Sequence, residues 1–441
     1  MVSSFPAMRS LFAILCLMAV RALSTESLLP FKRAADVSQT SVAPEKDITL
    51  YYQAVSQPGT AAKVDAQMRL PTVVLEEITT VSSVSCSAES VEVVFASTTD
   101  YQRSVSAWPS SSFILLTNHL GDCDAENERG VYLVESSTVA SANNNNTITA
   151  HTTRSSFRDQ AQSISVVFNA SAVASHKRDW TIALSDEWSG ELINTKDLAI
   201  DVQDVSLSTT LDLSGGVELD VTNSTATSLY LELDLALFAE LNVSAQATAA
   251  YSTDLWSYTY DALSVTAFEI TGILSVGPSL TLGVGVEFGV TGEANITADL
   301  STQITRGTVY LDLLHSDAST SSGWTPTQTA SATLSGEVDA QLNPFADVEL
   351  AVGVNVLNGL LEVSAGVEAK AEVVNTFSVA GAGDVSSTTG VTAVTGTGAC
   401  SNGYWFTSDF VFDVDAFVTS LYSVTLYTVT VPIFATKCFP F

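Results

Sequence analysis

A period-two alternation of apolar and polar residues, held well beyond the length of an ordinary strand, is the feature that most constrains this chain. From Leu231 the odd positions read Leu231, Leu233, Leu235, Leu237, Ala239, Leu241, Val243 and Ala245, while the even ones include Glu232, Asp234, Glu240 and Asn242. A strand puts alternate residues on one face, so this stretch has one greasy side and one acidic side. The pattern returns from Leu280 to Leu300, where Leu282, Val284, Val286 and Phe288 oppose Thr281, Glu287, Glu293, Asn295 and Asp299. It appears again from Leu361 to Val373, with Glu362, Ser364, Glu368, Lys370 and Glu372 on the polar side. The fold class is therefore all-β: packed antiparallel sheets or a flattened barrel, each sheet with one wet face. Gly283, Gly285, Gly289 and Gly292 are expected to supply bulges that bend such long strands. An outer-membrane barrel also alternates, but it needs aromatic girdles and a polar lumen.

Charge narrows the partners. The 441 residues carry 48 acidic and 17 basic side chains, a formal net charge of -31, with only 15% of residues charged. That field repels nucleic acid and anionic membrane surfaces, so neither is an expected partner. At the N-terminus, Arg9, the apolar run Leu11 to Val20 and the small residues Ala22 and Ser24 have the order of a secretory signal, with cleavage expected after Ser24. No later segment has the length and uniform apolarity of a membrane helix, so no membrane span is expected.

Removal of residues 1–24 takes away Cys16 and leaves Cys86, Cys123, Cys400 and Cys438, an even set in an oxidising compartment. Cys86 with Cys123 and Cys400 with Cys438 is the favoured pairing, because each pair then lies inside one expected domain. Metal ligation lacks a CxxC, and His119, His151, His176 and His315 do not cluster near the cysteines. Sequons at Asn145, Asn169, Asn223, Asn242 and Asn295 fit a secreted glycoprotein, and Asn242 and Asn295 fall on the polar side of the alternation.

Two dibasic pairs, Lys32-Arg33 and Lys177-Arg178, resemble sites for a late-secretory processing protease. The second falls where composition changes. From Asp179 to Phe441 there are four basic residues (Lys196, Arg306, Lys370, Lys437) against 32 acidic, which is minus 28 of the total. The expected organisation is a signal (1–24), a pro-region or linker (25–45), an N-terminal β domain (46–174), a linker holding the dibasic site at Arg178 (175–180) and a C-terminal long-strand β domain (181–441). Each domain is expected to be an antiparallel β-sandwich or barrel-like fold. In the first, Thr72 to Leu75, Val91 to Phe95, Phe113 to Leu116 and Ile164 to Phe168 read as short strands.

Alternation places carboxylates at i and i+2: Glu232 with Asp234, Asp347 with Glu349, Asp413 with Asp415. Such pairs serve glycosidases and calcium sites, but a solvated strand face produces them too. Like charges on one face repel, so the C-terminal domain is expected to be most stable in acid or with divalent cations. The acidic stretch Gly121 to Gly130 lacks the central Gly and distant Glu of a calcium loop and reads as a disulfide-pinned turn. Trp256, Tyr258 and Tyr260 share one strand face, as a sugar-stacking platform or as core pairs. No nucleophile elbow and no phosphate-binding loop is present, and no cofactor is expected.

Thr271 to Leu282 (TGILSVGPSLTL), Val309 to Leu313, Ser321 to Pro326 (SSGWTP), the alternating block after it and the late cysteines together resemble an uncharacterised β-rich domain family of secreted fungal proteins. Pro71 to Glu76 (PTVVLE), Val84 to Cys86 and Glu128 to Val134 (ERGVYLV) resemble a second uncharacterised domain that often precedes it. The resemblance implies a fungal extracellular setting and supplies no catalytic residue. The expected function is that of an acidic cell-wall or extracellular binding or structural protein, with wall polysaccharide or another extracellular ligand as partner. A hydrolase using paired carboxylates and a carrier of an apolar ligand between the sheets are the alternatives, and the oligomeric state is open.

Overall fold

The structure, a computed structural model, describes residues 25–31, 42–54, 61–118, 123, 128–139, 146–169, 181–263, 267–335, 338–380, 403–418 and 422–435. The signal cleavage point Ser24, the dibasic residues Arg33 and Arg178, the sequon Asn145, and Cys400 and Cys438 lie outside them.

The N-terminal part contains β1 (Thr25–Ser27), β2 (Leu29–Phe31), β3 (Glu45–Gln53), β4 (Ala61–Val74), β5 (Val81–Cys86), β6 (Ser90–Phe95), α1 (Thr98–Ala107), β7 (Phe113–Thr117), β8 (Gly130–Val139), β9 (Thr147–Ser155), α2 (Phe157–Gln160) and β10 (Ala161–Phe168). Mostly longer strands follow: β11 (Thr181–Asn194), β12 (Leu198–Asp220), β13 (Thr225–Ala247), β14 (Tyr251–Leu263), the short β15 (Ala267–Ile270), β16 (Leu274–Val290) and β17 (Ala294–Asp312). The chain then forms β18 (Thr320–Ser322), β19 (Thr327–Ser335), β20 (Ala340–Val356), β21 (Leu361–Ala380), β22 (Gly403–Val418) and β23 (Tyr422–Ala435). The fold is all-β.

β12 and β13 each run for 23 residues, several times the usual strand length. Alternation sets their register. Leu231, Leu233, Leu235 and Leu237 are buried while Glu232 and Glu240 face water, and β12 pairs against them residue by residue. A one-residue slip would put the whole leucine row in solvent, so the pairing has a single good register. At the far end of the β20 and β21 hairpin, Leu357, Asn358 and Gly359 all have positive φ, and Asn355 Oδ1 accepts the Gly359 N–H at 2.8 Å.

Two sheets result. One has eight strands in the order β1-β15-β16-β20-β21-β22-β23, with β14 also on β16; the other has fifteen and follows β18-β17-β13-β12-β10-β4-β7-β8-β9-β6-β5, with β11, β19, β2 and β3 attached. Their dry faces share one core containing residues from Leu28 to Val418. At one margin the Ser321 hydroxyl of β18 donates to the Leu426 carbonyl of β23 at 3.0 Å, and at the other β11 lies beside β14. The sandwich thus approaches a flattened barrel.

The expected boundary near Arg178 does not divide the structure. β10, from the N-terminal side, pairs with β12 through Ser163 to Phe168 and with β4 through Ala161 to Phe168. β3, the first half of β4 and β10 therefore belong to the large sandwich. Only the part from the end of β4 to β9 has a separate core, around Leu75, Val91, Val93, Trp108, Phe113 and Val134. The change in composition marks how acidic the outer faces are, while the core continues across it.

The glycines of β16 also depart from expectation. β16 and β20 pair without a register shift from Leu274/Val356 to Val290/Ala340, so Gly283, Gly285 and Gly289 are not bulges against β20. The irregularities fall elsewhere, at Val202/Asp204 in β12, between Leu235 and Leu237 against β17, and at both ends of β14. Gly292 lies in the turn between β16 and β17.

Candidate functional site

The absence of Cβ atoms on β16 explains the site next to it. A Cβ on Gly283 would lie 2.4 Å from the Asp347 carboxylate, and one on Gly285 would lie 2.4 Å from the Phe345 ring. Asp347 and Phe345, neighbours on the outer face of β20, fold flat over these two glycines. The Lys370 ammonium lies over the Phe345 ring, 4.6 Å from its centroid, and donates to Glu372 at 2.8 Å.

Pairing across β20, β21 and β22 then lines up the acids. Asp347 stands opposite Lys370, and Lys370 opposite Asp413; one step along, Glu349 stands opposite Glu368, and Glu368 opposite Asp415. Neighbouring strands are about 4.8 Å apart, so the second row is three carboxylates in contact range with no cation directly between them. The protonation equilibria respond. Burial, with Glu368 and Glu349 nearby and Lys370 only partly offsetting them, pushes Asp347 up to about 6. Burial and Glu368 raise Glu349, while burial and Asp415 raise Glu368 against the pull of Lys370.

These carboxyls hold protons more tightly folded than unfolded. For Asp347, protonation stabilises the fold below about pH 4, and this contribution is lost as pH rises through about 6. Asp347→Asn is expected to stabilise the protein at pH 7 by about 1–2 kcal/mol after allowance for solvent screening. It should also flatten the dependence between pH 4 and 6. Urea unfolding of both proteins at pH 7 and 4.5 checks this, and an unchanged difference between the two pH values would refute it.

Beside this row, Pro344 sits within β20 and interrupts its ladder to β21 between Gln341/Thr376 and Phe345/Glu372. Side chains replace the missing bonds. Asn375 N–H donates to Asn343 Oδ1 at 2.9 Å, Asn375 Nδ2 to the Leu342 carbonyl at 2.8 Å, and Ser408 Oγ to Asn375 Oδ1 at 2.8 Å. This buried network fixes the strand that carries Asp347.

The third pair, Glu232 with Asp234, lies on the other sheet, where Asp234 accepts from Arg306 and Thr308, each at 2.5 Å. The aromatic positions are separate again. Trp256 pairs with Val286 and Tyr258 with Val284, both valines being core residues, so these aromatics share the dry face of the sheet. Trp256 packs 5.7 Å from Tyr251 and 6.5 Å from Phe288. Tyr258 reaches the margin, 41% exposed, and Leu255 on the opposite face is 52% exposed. Tyr260 is part of β14, paired with Leu282. Carboxylates and aromatics thus stand on opposite faces of one sheet and do not converge on a common ligand.

Cys86 and Cys123 form a disulfide, with Cα atoms 4.8 Å apart. Asn223 and Asn295 are exposed; Asn242 is half-buried, and its amide donates to Asp299. Asn169 corrects the sequon reading. It is 5% exposed with φ +53°, its Oδ1 accepts the Ala61 N–H at 3.1 Å, and its Nδ2 donates to the Leu213 carbonyl at 3.2 Å. A glycan on that nitrogen would disrupt the junction of three strands, so Asn169 is a structural residue. No trio of His, Cys, Asp and Glu among the described residues is placed to hold a metal ion, and no described helix is long and apolar enough to cross a membrane.

Sequence reading missed one charged centre. Arg129, immediately before β8, has a side chain 1% exposed; it pairs with Glu76 and lies 4.4 Å above the Tyr52 ring. It bridges the turn after β4 to β3, where the small core meets the large one. Nothing periodic marks it, and the acidic stretch that it ends reads only as a disulfide-pinned turn.

Residues 65–165 match a domain of unknown function, DUF7029, and residues 164–419 match a second, DUF7223. The second match covers more than half of the chain. The chain belongs to the DUF7223 family. Neither a curated protein nor a solved structure matches it. The DUF7223 segment begins inside β10 and contains β11 to β22, hence the β12–β13 and β20–β21 hairpins and the acidic row. Its SGWTP segment now has a structural role. Gly323, at φ +77°, sits where a Cβ would meet the Arg306 carbonyl, and this turns Trp324 onto Gly307, with its indole N–H donating to the Thr308 carbonyl at 3.2 Å.

Proposed function

We propose that this DUF7223 protein is a secreted, acidic, glycan-bearing binding or structural protein of a cell wall or the surrounding medium, suited to acid surroundings and engaging extracellular polysaccharide along the margin formed by β14. The observation that carries this reading is Tyr258, an aromatic side chain 41% exposed at that margin. An exposed aromatic ring suits stacking against a sugar. The raised carboxyls of the acidic row support the acid setting. As a hydrolase, the protein would have to work without the aromatic platform, because the carboxylate row faces the other way. As an apolar carrier, it offers an inter-sheet cavity of about 20 Å³, lined by Leu211, Leu233, Trp324, Val348 and neighbours, room for about one water.

The test is retention of the secreted protein on insoluble wall polysaccharides, with the supernatant assayed for released sugar. Retention without release is expected, with Tyr258→Ala lowering the bound fraction at least three-fold while the melting temperature is unchanged. Release of sugar that tracks the purified protein would favour the hydrolase, and lack of retention on every polysaccharide would reject the binding reading.

A further inference from the structure

The segment Thr25–Phe31 crosses from one sheet to the other. β1 runs parallel to β15, Thr25 opposite Ala267 and Ser27 opposite Glu269, and β2 runs antiparallel to β3, Leu29 opposite Gln53 and Phe31 opposite Tyr51. β15 belongs to the eight-stranded sheet and β3 to the fifteen-stranded one. Between the two short strands, Leu28 donates its N–H to the Glu269 carbonyl at 2.8 Å, and its side chain, 0% exposed, is part of the main core. The Phe31 ring lies 6.0 Å from that of Tyr51. Lys32 and Arg33 follow directly in the sequence.

This is the geometry of a bound peptide. It has two edges to pair with and one apolar hole, and the occupant is supplied by the chain itself. Tethering makes the occupancy cheap, because the segment is always close by. Once the signal is removed after Ser24, a cut after Arg33 would leave nine residues held by a few ladder bonds and one buried leucine. Burial of one leucine offsets only part of the freedom that separate molecules lose on association.

We propose that Thr25–Phe31 is the resident ligand of a strand-acceptor site between β15 and β3, and that dibasic processing after Arg33 vacates the site for an extended peptide with an aliphatic side chain at the place of Leu28. In the cut, a processing protease directs water to the Arg33–Ala34 peptide bond, leaving a carboxylate on Arg33 and an amine on Ala34. The proposal is independent of polysaccharide binding.

The experiment uses the full-length protein carrying Lys177→Ala and Arg178→Ala, so that only the first pair can be cut. Secreted from a host with a dibasic-processing protease, it is expected to begin at Ala34; an N-terminus at Thr25 would overturn the proposal. The uncut form, kept intact by adding Lys32→Ala and Arg33→Ala, should not bind a labelled peptide of the sequence Thr25–Phe31. The cut form should keep its far-UV strand signal, lose the nine-residue peptide on gel filtration, and bind the labelled peptide saturably when it is added in excess. A peptide with Leu28→Asp should bind at least ten-fold more weakly. Collapse of the strand signal on cutting would show the segment to be an ordinary part of the fold, and co-elution of the cut peptide or equal binding by both forms would likewise overturn the proposal.

Discussion

Replacing Arg129 with methionine is expected to destabilise the protein by about 3–5 kcal/mol, because it leaves the Glu76 carboxylate beside a buried site with its cation gone. The guanidinium pairs with Glu76 and stacks over Tyr52, and burial also raises the Tyr52 hydroxyl above its usual range. Arg129 Nε and Nη1, Glu76 Oε2 and the Tyr52 hydroxyl are buried without a protein hydrogen bond among the described residues. A double-mutant cycle isolates the charge effect. Adding Glu76→Gln to Arg129→Met should recover at least about 1 kcal/mol, since neutralising the orphaned acid removes most of its desolvation penalty. Urea unfolding followed by circular dichroism gives both numbers. If the double variant is no more stable than the single one, the loss comes from packing on Tyr52 and the electrostatic account is wrong.

Trp324→Ala should cost a similar amount, about 3–5 kcal/mol, for a different reason. The indole is 2% exposed, lies against Gly307 and stacks 6.0 Å from Phe412 of the opposite sheet, so its removal enlarges a cavity already present between the sheets. Trp324→Phe should lose less, mainly the bond to the Thr308 carbonyl, at about 1 kcal/mol plus the smaller ring's packing. Gly307 supplies the control. A Cβ there would come within 2.6 Å of the indole, so Gly307→Ala should cost about 1–3 kcal/mol by overpacking. In the Trp324→Ala background the same change should cost much less. Additive losses would mean that the two residues do not touch in solution.

The strands of the large sandwich were legible because one of their faces is wet and the other dry. Leu231 to Ala245 could be assigned to faces residue by residue, and Asn295 indeed lies on the outside. The Cys86–Cys123 bridge was legible because both cysteines fall inside one expected domain, 37 residues apart. What pairs with what was not legible. The continuity of β10 with β12 is a long-range hydrogen-bonding fact that leaves no local trace, and a shift in surface charge was read as a boundary in its place. The glycines of β16 carry the same lesson. A strand glycine signals either a bulge or a close approach, and only the position of Asp347 and Phe345 on the next strand decides between them. Aromatics and carboxylates could each be given a face of their own strand, but whether those faces coincided depended on the register between β14, β16 and β20.

The pairing of β1 with β15 also sets a timetable for biosynthesis. Ser27 and Glu269 are 242 positions apart, and a ribosome adding about 5–20 residues per second needs roughly 10–50 s to cover that distance. The first strand to emerge must therefore wait, its leucine in water or in the care of a chaperone, until the strand it will lie against has been made. The segment nearest the start of the chain cannot take its place on that sheet until more than half of the chain has been made.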